Sequence, residues 1–179
     1  MLTVADLMRG PRPAGSAHDP LEHLTACHRR VEQRLETLAR AIAALPRQRE
    51  ESLAAIDSAL SFFATNGVRH TEDEEMSLFP RLLPKLTESE RAVIELLEQE
   101  HGEAGLLHSE LERLAERLHH RGPDETAIEA FEACVVRLAS LYGRHIAVED
   151  TQVAGFARSR LTAVELTEIS TEMKRRRGQ

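Results

Sequence analysis

From Pro20 onward the apolar positions fall three or four residues apart, the period of an amphipathic helix, in four long stretches. The first is marked by Leu21, Leu24, His28, Val31, Leu35, Leu38 and Ile42. Asp19 suits its N-cap, Pro20 its first position and Glu22 its third, and Pro46 ends it. The second starts near Gln48 and is marked by Leu53, Ile56, Leu60 and Phe63. Asn66-Gly67 is a poor helical pair, yet His70 and Glu74 extend the stripe in phase, which predicts one continuous helix stopped by Pro80. The capping box "TESE" at residues 87–90 opens a third helix at Glu88. Its inner side carries Val93, Ile94, Leu97, His101, Leu107, His108, Leu111, Leu114 and Leu118, up to a Gly122-Pro123 stop. The fourth runs from about Asp124 through Ile128, Phe131, Val135, Leu138, Tyr142, His145 and Glu149. A second box, "TAVE" at 162–165, opens a last helix. Ahead of all these, "GPRPAGSAHD" reads as a loop, with a short docked helix before it.

Four long helices with short connections predict an all-α, up-down-up-down four-helix bundle with an extra C-terminal helix packed outside it or over one end. The expected division is an N-terminal segment (1–19), a bundle (20–160) and a C-terminal helix with a basic tail (161–179).

Composition agrees with this. The 179 residues fit one domain, able to bury roughly 70% of the surface the unfolded chain exposes. Helix formers such as Ala, Leu, Glu and Arg dominate, β-branched residues are sparse and Trp is absent. A net charge of −7 disfavours a nucleic-acid partner, which needs a basic face. The one basic run, "KRRR" at 174–177, reads as a solvated helix C-terminus. Two cysteines make no disulfide framework, and no apolar run approaches the ~20 residues of a membrane span. The N-terminus is too short and too acidic for a signal peptide, so the expected compartment is the cytoplasm.

The chemistry lies in a repeat. The stretch "HTEDEEMSLFPRLLPKLTESE" from His70 aligns with "HIAVEDTQVAGFARSRLTAVE" from His145 at a constant offset of 75 residues. His70 matches His145, Glu74 matches Glu149, Glu75 matches Asp150 and Glu90 matches Glu165. Upstream of each pair lies a lone histidine, His28 and His101, in the apolar phase of its own helix. Each half is then a helical hairpin with one histidine on its first helix and His-x-x-x-Glu on its second, a spacing that puts both side chains on one face. A single buried histidine is ordinarily a hydrogen-bonded core residue. Four histidines and two glutamates turned inward together are another matter, because bare carboxylates in an apolar bundle are costly unless paired or bound to a cation. Two metal ions, each with two imidazoles and shared glutamate oxygens, satisfy both residue types. Nitrogen and oxygen donors without thiolate suit iron or manganese, with zinc also able to fill the cage. Open positions would remain for a bridging oxo or hydroxo group and a small ligand.

Other residues carry weaker signals. Tyr142, one turn before His145, is either a donor to the metal ligands or a core tyrosine bonded elsewhere. Cys27 adjoins His28 but points ~100° away around the helix, as a small packed residue. His108 fits an interhelical hydrogen bond or the wall of an access path, while His18, His119 and His120 look like loop or helix-end residues. Glu72, Asp73 and Glu75 read as a solvated rim around the single inward Glu74. The ferritin-type Glu-x-x-His string occurs twice, as "EQEH" and "ERLH", but both copies sit on the third helix and cannot form a facing pair.

The phrases "CHRRVE", "RHTEDEEMSLFP", "EQEHGEAGLL" and "RHIAVED", in this order, resemble the four helix motifs of the hemerythrin-like, or HHE cation-binding, family. The resemblance runs from Pro20 to about Arg160, and "LTEISTEMKRRRG" resembles a common ending of bacterial members. It implies a non-haem di-iron centre with His28, His70, Glu74, His101, His145 and Glu149 as ligands, Glu74 and Glu149 bridging. It further implies one ion on His28 and His145 and the other on His70 and His101. Two positions depart from the oxygen carriers of the family. They have a histidine four residues after the third-helix histidine, where this chain has Gly105, which argues against reversible oxygen carriage and for a wider ligand cavity. They also place an aspartate five residues after the last histidine, so Asp150 rivals Glu149. Helix geometry favours Glu149, since a step of five lies ~140° from the histidine's direction and a step of four ~40°. The expected function is binding or sensing of O2, nitric oxide or peroxide, or holding iron. The alternatives are a stress-response enzyme that reduces peroxide or nitric oxide or donates iron for Fe–S repair, and a zinc-bound or metal-free structural bundle.

Overall fold

A computed structural model of the chain describes residues 19–121 and 124–179. The N-terminal loop, the docked helix before it and the Gly122-Pro123 stop lie outside the described residues. Four helical rods and one outer helix make up the rest, with no strand among the described residues. Rod 1 is α1 (Pro20–Ala44). The Asp19 carboxylate accepts the Leu21 N–H at 2.9 Å, and Pro20 occupies the first turn, where its missing donor costs nothing.

Rod 2 is unbroken in direction but not in winding. It runs as α2 (Arg49–Phe62), a wide π-turn (Phe63–Gly67), α3 (Val68–Asp73), a second π-turn (Glu74–Leu78), α4 (Phe79–Leu82) and a 3-10 turn (Leu83–Lys85). Asn66-Gly67 is absorbed in the first wide turn. Pro80 does not stop the rod, contrary to the sequence expectation. In the second wide turn the Phe79 N–H reaches back five residues to the Glu74 carbonyl. The next donor would be that of Pro80, which has none, so the proline falls where the widened turn already disturbs the ladder.

Rod 3 is α5 (Glu88–Arg121), opened by the Thr87/Glu90 box, with Thr87 N–H donating to Glu90 Oε2 at 2.8 Å. Rod 4 is α6 (Glu125–Val148), a π-turn (Glu149–Val153) and α7 (Ala154–Arg160). Asp124 caps it by accepting the Thr126 N–H. The π-turn stands 75 residues after its counterpart, so the duplication seen in the sequence extends to the backbone winding. The outer helix α8 (Ala163–Arg176) starts with a complete Thr162/Glu165 capping box.

Each rod packs on two neighbours: rod 1 on rods 2 and 4, rod 3 on rods 2 and 4. This closed ring is the up-down-up-down bundle. Its core falls into two apolar clusters. One holds Leu38, Ile56, Leu111, Leu114, Phe131 and Leu138; the other holds Leu78, Phe79, Leu82, Ile94, Leu97 and Ile169. Each such side chain contributes roughly 1.5–3 kcal/mol on burial. Along every rod a histidine, with a glutamate on rods 2 and 4, falls between the stretches that feed the two clusters, so a polar layer interrupts the core.

The two halves clasp each other reciprocally near the end of the bundle. Lys85 bonds the Glu165 carboxylate and the Arg160 carbonyl, while Arg160, 75 residues on, bonds the Glu90 carboxylate and the Lys85 carbonyl. Helix α8 packs on α1, α3 and the second π-turn, where Ile169 and Met173 join the cluster that holds Leu78, Phe79 and Leu82. Its basic end is not simply solvated, as the sequence suggested. Arg176 and Arg177 reach the Asp73 carboxylate at 2.8 and 2.7 Å, and Asp73 is fully buried. Asp73 therefore does not belong to an acidic rim; it is the anchor of α8. Cys27 and Cys134 are buried free thiols. No helix among the described residues is long and apolar enough to cross a membrane.

Candidate metal centre

The polar layer consists of the six residues singled out by the repeat. His28 comes from α1, His70 from α3, Glu74 from the second π-turn, His101 from α5, His145 from α6 and Glu149 from the third π-turn. All six side chains are at most 7% exposed. Glu74 and Glu149 each begin a wide turn, and π-turns of this kind recur at functional sites because they re-aim a side chain without breaking the helix.

The six fall into two groups that share the carboxylates. His28, His70, Glu74 and Glu149 bring one ligand atom each to one place, and His101, His145 and the same two glutamates to another, with the atoms of each group within 4.8 Å of one another. Glu149 Oε2 lies 3.1 Å from His28 Nε2 and its Oε1 3.2 Å from His145 Nε2. Glu74 Oε1 lies 3.4 Å from His70 Nε2 and its Oε2 3.4 Å from His101 Nε2. Each carboxylate thus offers one oxygen to each group. The expected pairing of His28 with His145 and of His70 with His101 is corrected. The ring centroids of His28 and His70 are 4.8 Å apart and those of His101 and His145 are 4.7 Å apart. The reason is the packing. Rods 1 and 2 are close neighbours, as are rods 3 and 4, so each hairpin supplies both histidines of one group.

Behind the inner atoms stands a ring of acids. Nδ1 of His28 is bonded to Asp150 Oδ1 at 2.8 Å, that of His101 to Glu75 Oε1 at 2.8 Å, and that of His145 to Glu100 Oε2 at 3.0 Å. A carboxylate on the outer nitrogen fixes the ring and leaves Nε2 for a metal. Asp150 thus stands behind His28 and outside both groups, whereas Glu149 belongs to both. Glu75 is likewise no mere rim residue. These two could be found in the sequence as an acidic pair 75 apart; Glu100 could not, since nothing separates it from Glu98 or Glu103. The outer nitrogen of His70 has no hydrogen-bond partner among the described residues. Glu100 stands one residue before His101, and the matching place, one before His28, holds Cys27.

Inside the ring the accounting reverses. Among the described residues, His28 Nε2, His101 Nε2, Glu74 Oε2 and both Glu149 oxygens are buried without a hydrogen-bond partner. Burial would lower the pKa of His28, but the Glu149 and then the Glu74 carboxylate outweigh it and hold the imidazole up to about 10. At His101 burial is likewise outweighed, chiefly by Glu74, giving about 9. At His145 it is outweighed by Glu149, while at His70 burial prevails and the value falls. Burial would raise Glu74, yet His70, His101 and His28 hold it well below the usual carboxylate range. Protons on His28, His101 and His145 can therefore serve as counter-ions to the glutamates, and a metal must displace them.

A cavity of about 250 Å³ reaches His101 past Gly67, Gly105 and Met76. A Cβ at Gly105 would meet nothing within 4 Å, so there is open space beside this glycine in the cavity lining. Tyr142 and His108 line its wall and are bonded, hydroxyl to Nε2, at 3.0 Å. Burial lowers His108 to about 4 and raises Tyr142, so both are neutral near pH 7. The Tyr142 hydroxyl thus goes to His108 while its ring stands edge-on to His145, centroids 6.2 Å apart. Of the remaining histidines, His119 bonds Asp57 at the end of α5; His18 lies outside the described residues.

The family model of the hemerythrin HHE cation binding domain matches residues 19–157. That is most of the chain, and the chain belongs to this family. An uncharacterised protein of Haemophilus influenzae is 28% identical to it, over 93% of this chain and 95% of its own length.

Proposed function

We propose that this member of the hemerythrin HHE cation-binding family holds two iron ions, one on His28 and His70, the other on His101 and His145, both bridged by Glu74 and Glu149. One observation carries the reading. The outer nitrogens of three histidines are tied to carboxylates, while His28 Nε2, His101 Nε2, Glu74 Oε2 and both Glu149 oxygens, which converge in one buried layer, have no hydrogen-bond partner among the described residues. Without protons or a cation this layer would cost several kcal/mol, and a divalent cation that displaces the protons satisfies nitrogen and oxygen donors together. The set holds no thiolate, which favours iron or manganese over a structural zinc. Iron bound there would supply redox chemistry and coordination of O2, nitric oxide or peroxide. The protein's part is to fix the imidazoles through Asp150, Glu75 and Glu100, to exclude bulk water with two apolar clusters, and to admit a small molecule past Gly105. Purified after growth with iron, the protein is expected to carry two irons per chain with a near-ultraviolet oxo-bridge band. Zinc, or no metal at unchanged thermal stability, would overturn the reading.

Filling the cavity should separate access from assembly. Gly105→Leu adds a side chain where space is open and removes a helical glycine that costs about 1 kcal/mol. Iron content is expected to stay at two per chain while the rate of reaction with nitric oxide or peroxide, followed by stopped-flow absorbance, falls at least about tenfold, or ~1.4 kcal/mol in barrier.

The histidine shifts set a pH dependence. Between the ordinary 6.5 and about 9 to 10 the folded metal-free chain binds protons at His101 and His28 that the unfolded chain does not. The stability they contribute is complete below that window and is lost as pH rises through it. Scanning calorimetry is expected to show the chelated protein melting progressively lower from pH 7 to pH 10. The iron-loaded protein, its protons displaced, should show a much weaker slope.

A second reading, turnover rather than reversible binding, draws on the Tyr142–His108 pair, which sets a neutral phenol against the cavity wall. Peroxide or nitric oxide consumption above that of a His70→Ala variant would favour it.

A further inference from the structure

On the far side of rod 2 from the Gly105 path, α1, rod 2 and the end of α8 enclose a cavity of about 410 Å³. Its walls carry His23 and Arg30 from α1, Asn66 and Arg69 from rod 2, and Lys174 and Arg177 from α8. Four of these are cationic, the exposed Arg30 and Arg69 with Lys174 and Arg177, in a chain of net charge −7, while burial lowers the His23 pKa so that it adds no charge near pH 7. Asp73, the buried acid beside it, is already engaged by both Arg176 and Arg177. Arg30, Arg69 and Lys174 have neither an ion pair nor a side-chain hydrogen bond among the described residues. His23 Nε2 is buried without a hydrogen-bond partner and stands 4.0 Å from Asp73. The dipole of α8 accounts for cations at that helix's own end, but Arg30 and Arg69 belong to other rods and gain nothing from it.

Like charges brought together from three elements around a concavity repel one another unless an anion is shared among them, and the concavity focuses their field. Guanidinium groups match phosphate oxygens two at a time, while the Lys174 ammonium adds a point charge. The volume lies in the range of small-molecule sites and exceeds what one phosphate needs. Among the described residues no Phe or Tyr lines it, so recognition rests chiefly on the charged group itself. We propose that this cavity binds a diphosphate-type anion through Arg30, Arg69 and Lys174, with Arg177 and Asn66 completing its wall. The site is separate from the metal layer and stands whether or not that layer holds iron.

The test is calorimetric titration of the full-length, iron-loaded protein with inorganic pyrophosphate and, separately, with adenosine diphosphate. Arg30→Gln/Arg69→Gln is compared with Arg158→Gln, which removes an exposed arginine elsewhere. Saturable binding that weakens at least about tenfold in the double variant, and not in Arg158→Gln, supports the proposal, with melting temperature and iron content unchanged. Equal affinity for both probes assigns recognition to the diphosphate group, and tighter binding of one identifies an inorganic or a nucleotide source. Absence of saturable binding to either probe overturns it. So does binding that survives in the double variant, which would mark pyrophosphate pulling on the metals, or binding lost equally in Arg158→Gln.

Discussion

Glu74→Ala is expected to empty the metal centre, from two irons per chain to a trace, with affinity lowered at least about a thousandfold, or ~4 kcal/mol. The size follows from what the side chain faces. One of its oxygens lies 3.4 Å from His70 Nε2 and the other 3.4 Å from His101 Nε2, so its removal strips an anionic donor from both groups at once. The supporting acids act at one remove. Asp150→Asn, which alters the partner of His28 together with the weaker contacts to Thr25 and Arg29, is expected to weaken metal binding about 10–100-fold. Glu74 also helps hold the protons on His28 and His101, so the metal-free variant should lose part of the fall in stability between pH 7 and pH 10. Elemental analysis and calorimetry of Glu74→Ala and the near-isosteric Glu74→Gln read both effects. Two irons retained in Glu74→Gln would show that its charge is not a bridge.

Arg176→Ala/Arg177→Ala is expected to cost about 3–5 kcal/mol of stability, a fall of roughly 10 °C in melting temperature for a chain this long. Asp73 is fully buried, and these two guanidinium groups, each less than a fifth exposed, are its counter-charges at 2.8 and 2.7 Å. Without them His23, at 4.0 Å, is the one ion-pair partner left to the carboxylate among the described residues. Adding Asp73→Asn to the double variant removes the stranded charge and should recover part of the loss. Because Asp73 immediately precedes Glu74, loosening α8 is also expected to lower iron affinity, a coupling between the outer helix and the metal layer that titration with ferrous ion would detect.

These outcomes also mark what could be read from the sequence. The four rods were legible because a 3.6-residue period, two capping boxes and Asp19-Pro20 all act locally. The six-residue layer was legible because the His-x-x-x-Glu pair recurs after 75 residues in the same phase. Three features were not legible. A π-turn adds a residue to a turn without any side-chain signature, so Pro80 read as a stop when it sits inside the rod. Periodicity tells which face a residue occupies but not which rod it meets, so the histidines were paired across the wrong rods. The burial of Asp73 depends on arginines more than a hundred residues away along the chain, and no local pattern distinguishes it from Glu72 or Glu75.

The most direct measurement is an anomalous-difference map, at the iron absorption edge, from a crystal of the iron-loaded protein. The account predicts two peaks per chain, one among His28, His70, Glu74 and Glu149, the other among His101, His145 and the same two glutamates. A single peak, or peaks that join His28 to His145 and His70 to His101, would contradict it.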